Sequence, residues 1–211
     1  MRKTVTGIVA AGLLVGAVVQ AAPGQSREPR EPRERASRLN VSRTVEALDL
    51  EPGMHVADIG AGAGLFARAM ARVVGDDGLV YAVDTDPDLL AYIDEMSASD
   101  GLTNLQTVHG TADDPEIPSP VDLITMFETL HHIGNRPAYL KRLRSYLRPG
   151  GRVAIVDFTS GWPEGHRRER YTERDLARWM QAAGFRLERR YRFIENHFFV
   201  IYRLLPHRGT R

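Results

Sequence analysis

Three alternating glycines, Gly60, Gly62 and Gly64, follow Asp58 in the run V-A-D-I-G-A-G-A-G. Glycine at these positions permits a tight turn and close approach of a ligand to the backbone, and free N–H groups at a helix start favour a polar or anionic group. Asp84 ends the next apolar run, where a carboxylate can accept both hydroxyls of a ribose. Together these residues describe a nucleoside pocket, a geometry that serves nicotinamide dinucleotides and adenosyl ligands alike. Spacing separates the two. A dinucleotide fingerprint runs G-x-G-x-x-G, whereas here the third glycine comes one residue early and an acid precedes the first. An acidic approach suits a cation better than a pyrophosphate. Further on, Glu128, His131 and His132 follow another apolar run, and they are residue types that either orient or deprotonate a second molecule or structure their own loop.

Such a site needs strand ends held side by side. Residues 55–59, 79–83, 105–108, 121–127 and 153–158 read as buried strands, the fourth nearly all apolar as expected in mid-sheet. Between them lie helical patterns: a short leading helix within 39–50, residues 65–74, a helix from Pro87 to the stop at Gly101, and one opened by Pro137 with Leu140, Leu143 and Leu147 on one face. Pro149-Gly150-Gly151 turns the chain into the fifth strand. Thr172 with Asp175 reads as a helix cap, Ala183-Gly184 ends that helix, and residues 185–194 and 197–205 read as an antiparallel hairpin about Glu195-Asn196. The alternation predicts an α/β, doubly wound, mostly parallel sheet that binds ligands at the carboxyl ends of its strands.

Composition sets the outer limits. With 211 residues, 43% hydrophobic and 26% charged, the chain is an ordinary globular domain, and 28 basic against 27 acidic residues give no concentrated footprint for nucleic acid. The absence of cysteine excludes disulfides, a thiolate zinc site and a cysteine nucleophile. His55, His109, His197 and His207 show no metal-like spacing, and no metal is expected. Residues 1–21, with Arg2 and Lys3 ahead of the apolar run Val5–Val19, which is shorter than the ~17–25 residues that span a bilayer, read either as a signal peptide or as a short membrane anchor. The first reading exports the domain; the second associates it with a membrane. Residues 22–38, rich in Pro, Arg and Glu and with five arginines after position 26, read as a solvated linker; 39–205 as the domain; 206–211 as a basic tail.

At this level of detail the chain resembles the class I S-adenosylmethionine-dependent methyltransferases. The resemblance is carried by V-A-D-I-G-A-G-A-G, V-Y-A-V-D-T-D-P, V-D-L-I-T-M-F-E-T-L-H-H-I and L-R-P-G-G-R-V-A-I-V-D-F in the right order, followed by A-A-G-F and the aromatic hairpin. It implies a Rossmann-like fold and S-adenosylmethionine as cofactor. Gly60, Gly62 and Gly64 would line its methionine and ribose side, with Asp58 near the amino group, Asp84 on the ribose, Thr85 beside the adenine and Phe127 near the methionine arm. The family's usual G-D-A is here Gly110-Thr111-Ala112-Asp113, so either Thr111 and the Ala112 backbone or Asp113 serves the adenine. The local style of the fourth and fifth blocks is similar to the small-molecule branch, which includes quinone-precursor and sterol-type enzymes, and so implies a small-molecule acceptor methylated by in-line transfer. Residues 159–166 could close over that acceptor, lined by Trp162, His166 and Tyr171. The competing readings are an NAD(P)-dependent oxidoreductase and a non-catalytic binding protein on the same scaffold.

Overall fold

The computed structural model describes residues 32–162, 164–166 and 169–206. The leader reading of 1–21 and the tail beyond Pro206 lie outside the described residues. Among those described, no helix is long and apolar enough to cross a membrane.

Seven strands form one sheet in the order β3-β2-β1-β4-β5-β7-β6. They are β1 (His55–Ile59), β2 (Leu79–Asp84), β3 (Leu105–His109), β4 (Val121–Phe127), β5 (Leu147–Phe158), β6 (Phe185–Tyr191) and β7 (His197–Leu204). The first five are parallel, and β7 pairs antiparallel with β5 and β6, as the doubly wound reading expects. Successive side chains on a strand face opposite ways. Ala57 and Ile59 therefore join one core layer with Ile124 and Met126, while Val56 joins the other with Leu123 and Phe127. Helices α2 (Val41–Glu46), α3 (Leu65–Val74) and α4 (Pro87–Ser99) cover the second layer; α5 (Arg136–Arg142) and α6 (Glu173–Ala182) cover the first. From β1 the connections run outward through β2 and β3, and from β4 through β5, so a crevice opens between the carboxyl ends of β1 and β4.

Three expectations change. The helix opened by Pro137 stops at Arg142, a single 3₁₀ turn follows, and β5 begins at Leu147 rather than 153. Leu147 pairs with Val121 before Pro149-Gly150-Gly151 loops out, and pairing resumes at Arg152 opposite Leu123. An apolar residue buried in the shared core fits either a helix face or a strand start, so its periodicity misleads. The hairpin is shorter than expected, with Asn196 at φ 58 in the turn. Last, the segment read as a linker ends in a helix, α1 (Pro32–Leu39). Its sequence carries almost nothing apolar before Leu39, so hydrophobic patterning gives no sign of it; besides the buried Leu39, it is anchored by Arg35 and Arg38. The Thr172–Asp175 capping box forms as expected and starts α6.

Candidate functional site

A crevice of about 700 Å³ lies at the switch between β1 and β4. One half is built largely from backbone. Gly60 sits at φ 73, and a Cβ there would fall 2.3 Å from Thr129 Cγ2, so only glycine fits against the β4 loop. Gly64, the residue before α3, stands where a Cβ would come within 2.9 Å of Ile93, which lets α3 pack on α4. The Gly62 N–H donates to Asp84 Oδ2 at 2.8 Å, and the N–H groups of Thr85 and Asp86 donate to Oδ1 at 2.8 and 3.1 Å. Three backbone donors thus fix this carboxylate at the mouth of β2. Gly60, Asp84, Thr85, Thr111 and Ala112 share the crevice wall. Gly62 and Gly64 act behind it, one on Asp84 and the other on helix packing.

Of the residues expected beside the adenine, Thr111 and Ala112 line the crevice, whereas Asp113 is exposed and does not. The neighbouring Asp114 turns to Arg142 and the Tyr146 hydroxyl instead. Phe127 departs from the expectation as well: its ring stacks on Phe66 at 3.8 Å inside the core, because its place on β4 faces α3. What it offers the crevice is its carbonyl, which accepts from Arg35 Nη2 at 2.6 Å.

Asp58 lies beneath the glycine turn, 2% exposed, with Thr125 Oγ1 donating to Oδ1 at 2.8 Å. Burial pushes its carboxyl up to about 7, against the opposing pull of Thr125 and the Arg35 charge. Arg35 was not foreseen here. Its guanidinium reaches the Phe127 carbonyl, lies 3.3 Å from where a Cβ on Gly62 would be, and holds Glu128 Oε2 at 3.3 Å. A cation of the protein therefore occupies the space where an acidic approach favours one.

Glu128 is committed to structure. It accepts from Arg38 Nε and Nη2 at 3.1 and 2.9 Å and pairs with His197 Nε2 at 2.8 Å. Burial raises its carboxyl, but the His197 and Arg38 hydrogen bonds and both arginine charges outweigh this and hold it at about 2. Such a group is a poor proton acceptor near neutrality, and of the two roles expected for Glu128 its contacts are structural: it clamps α1 across the crevice.

The other half is built from side chains. His131, 2% exposed, engages Asp157 Oδ1 through Nδ1 at 2.8 Å. Asp157 is fully buried and also accepts from the Tyr171 hydroxyl at 2.8 Å and from the Phe158 and His131 N–H groups at 2.9 and 3.2 Å. Burial and the Asp157 charge raise the Tyr171 phenol well above its ordinary value, so it stays a donor. The His132 ring lies 4.0 Å from that of His131, and burial, with the neighbouring His131 and His166, lowers its pKa below the ordinary histidine value. His166 stands 5.3 Å from both rings, and Trp162 meets His131 edge-on at 5.6 Å. Against the expectation of no metal, His131, His132, His166 and Glu169 bring one potential ligand atom each within 4.8 Å of one another.

A family model described as a methyltransferase domain matches residues 30–189, including α1. The chain belongs to the methyltransferase domain family. This methyltransferase-family chain is 29% identical over 122 residues to the ubiquinone/menaquinone biosynthesis C-methyltransferase of Cupriavidus metallidurans, covering 56% of this chain and 49% of that protein. It thus spans about half the length of the curated relatives it matches. A structure described as a SAM-dependent methyltransferase from Aquifex aeolicus superposes with TM-score 0.71 at 26% identity, over 84% of this chain and 100% of that one. The [4+2]-cyclase SpnF shares the fold at TM-score 0.68 and 14% identity, over 83% of each chain. The methyltransferase-family scaffold by itself does not fix a reaction.

Proposed function

We propose that this chain is an S-adenosylmethionine-dependent methyltransferase acting on a small-molecule acceptor by in-line transfer. The observation that carries the reading is the Asp84 carboxylate, clasped by three backbone N–H groups on the wall of the switch-point crevice. Two of its donors come from its own turn and the third from the glycine turn after β1, so the carboxylate is pre-oriented for a vicinal diol and costs little to order. The residues present fit the cofactor: Gly60 leaves the backbone open, Thr111 and Ala112 flank the purine side, and Arg35 on the crevice wall faces the carboxylate of the zwitterionic end, with Asp58 buried beneath the glycine turn. Bound there, S-adenosylmethionine supplies an electrophilic methyl on a sulfonium. The protein's task is alignment and exclusion of water. Phe158 and Trp162 pack at 5.2 Å beside the histidines and form a dry wall at the acceptor end. The His131 ring is held by Asp157 in one orientation, able to meet an acceptor hydroxyl.

A near-neutral charge balance and the names of the curated relatives favour a small oxygenated acceptor over nucleic acid. Calorimetric titration of the full chain with S-adenosylmethionine, S-adenosylhomocysteine and NAD tests the cofactor. Binding of both adenosyl ligands in the micromolar range, without NAD, is expected. A folded chain that binds neither ends this reading, and NAD binding alone replaces it with an oxidoreductase.

A further inference from the structure

We propose that His131, His132, His166 and Glu169 form a binding site for one divalent first-row transition ion at the acceptor end of the crevice. The four donors come from two segments, the loop after β4 and the connection between β5 and α6, yet converge within 4.8 Å. Glu169 Oε2 is the centre of the group. It is turned out of solvent with no hydrogen-bond partner, 3.5 Å from His132 Nδ1 and 3.6 Å from His166 Nε2. Donors around a tetrahedral ion at ~2.0–2.2 Å stand ~3.3–3.6 Å from each other, so two edges of the shell already have the right length.

His131 adds what such sites need behind the ligands. Its Nδ1 is engaged by Asp157, which leaves Nε2 as the coordinating atom with its lone pair free. A buried carboxylate on the far nitrogen of a ligating histidine fixes the ring and its tautomer. Asp157 is itself locked by the Tyr171 hydroxyl and two backbone N–H groups, so the orientation does not depend on the ion. Three imidazoles and one carboxylate suit zinc, cobalt or ferrous iron, and disfavour magnesium and calcium, which prefer oxygen donors throughout.

All three histidines line the crevice, so an acceptor oxygen would reach the ion from that side, as a fifth ligand beyond the four protein donors. The ion would hold the oxygen of a phenol or enol as the anion, the hydroxyl proton leaving to solvent as the metal–oxygen bond forms. This narrows the acceptor class and in that respect rests on the function proposed above; the metal site itself stands on the four side chains.

The test uses the untagged full chain, stripped with a chelator and titrated with Co²⁺, whose four-coordinate complexes give intense visible bands. One equivalent is expected to bind and to be displaced by Zn²⁺. His166→Ala and Glu169→Ala are each expected to weaken binding by ~10-fold or more, with unchanged far-ultraviolet circular dichroism. Absence of a cobalt spectrum in the parent chain, or a spectrum and affinity that survive both substitutions, overturns the site. S-adenosylhomocysteine is titrated into the same samples. Cobalt binding without adenosyl binding supports the metal site and overturns the cofactor reading; adenosyl binding without cobalt does the reverse.

Discussion

The two ends of the crevice are made by different means. At the cofactor end, backbone groups of β1, β2 and their turns do the holding, and one carboxylate is fixed by donors within its own neighbourhood. At the acceptor end, side chains from separated segments converge on a buried acid, Asp157, and a shared carboxylate oxygen. A backbone-built end tolerates change in everything but its glycines and its one acid. A side-chain-built end can be re-specified residue by residue, which fits a fold that carries both methyltransferase and cyclase names.

If the ends are separable, single substitutions should split them. The largest effect is expected for Asp84→Ala, which removes the charged acceptor of the first end. Calorimetry should show S-adenosylhomocysteine affinity falling ~100-fold or more, while the cobalt spectrum persists. Loss of both would join the two ends into one unit. Asp157→Asn attacks the second end by releasing the His131 ring. Turnover should fall ~10–100-fold with adenosyl affinity held within about twofold, and the pH profile of the rate should shift, which a purely structural role would not produce.

Glu128 joins both ends to α1, and its effect is on stability. Its carboxyl sits at about 2 when folded and at its ordinary 4.5 when free, so its contribution is present above about pH 4.5 and lost as pH falls towards 2. Glu128→Gln should therefore lower the melting temperature by ~3–6 °C at pH 7, with the gap to the parent chain closing in acid. An equal gap at pH 3 would contradict this assignment. The smallest effect belongs to Asp113→Ala, exposed and off the wall, which should change adenosyl affinity by no more than about twofold; a tenfold loss would restore Asp113 to the adenine site.

The same contrast explains what was legible in the sequence. The glycine turn, Asp84 and the order of strands lie in contiguous runs whose apolar content and spacing are read directly, and β1, β4 and α3 fall on their expected residues. Phe127 was placed on the right strand end, but its facing depends on pleat phase against α3, which a continuous apolar run does not reveal. Arg35 and Arg38 were hidden in a stretch whose charges look solvated, and their partner Glu128 is remote in sequence. The histidine cluster is only partly legible: His131 and His132 stand as a pair and His166 is expected over the acceptor, whereas Glu169 and the convergence of all four depend on the path of the chain between β5 and α6.

The attachment of α1 through Arg35 and Arg38 moves the edge of the working unit. Hydrophobic content starts the domain at Leu39, but Arg35 and Arg38 form part of the crevice wall and the family match begins at residue 30. A fragment trimmed to the apolar core would keep every strand yet lose one wall of its own chamber.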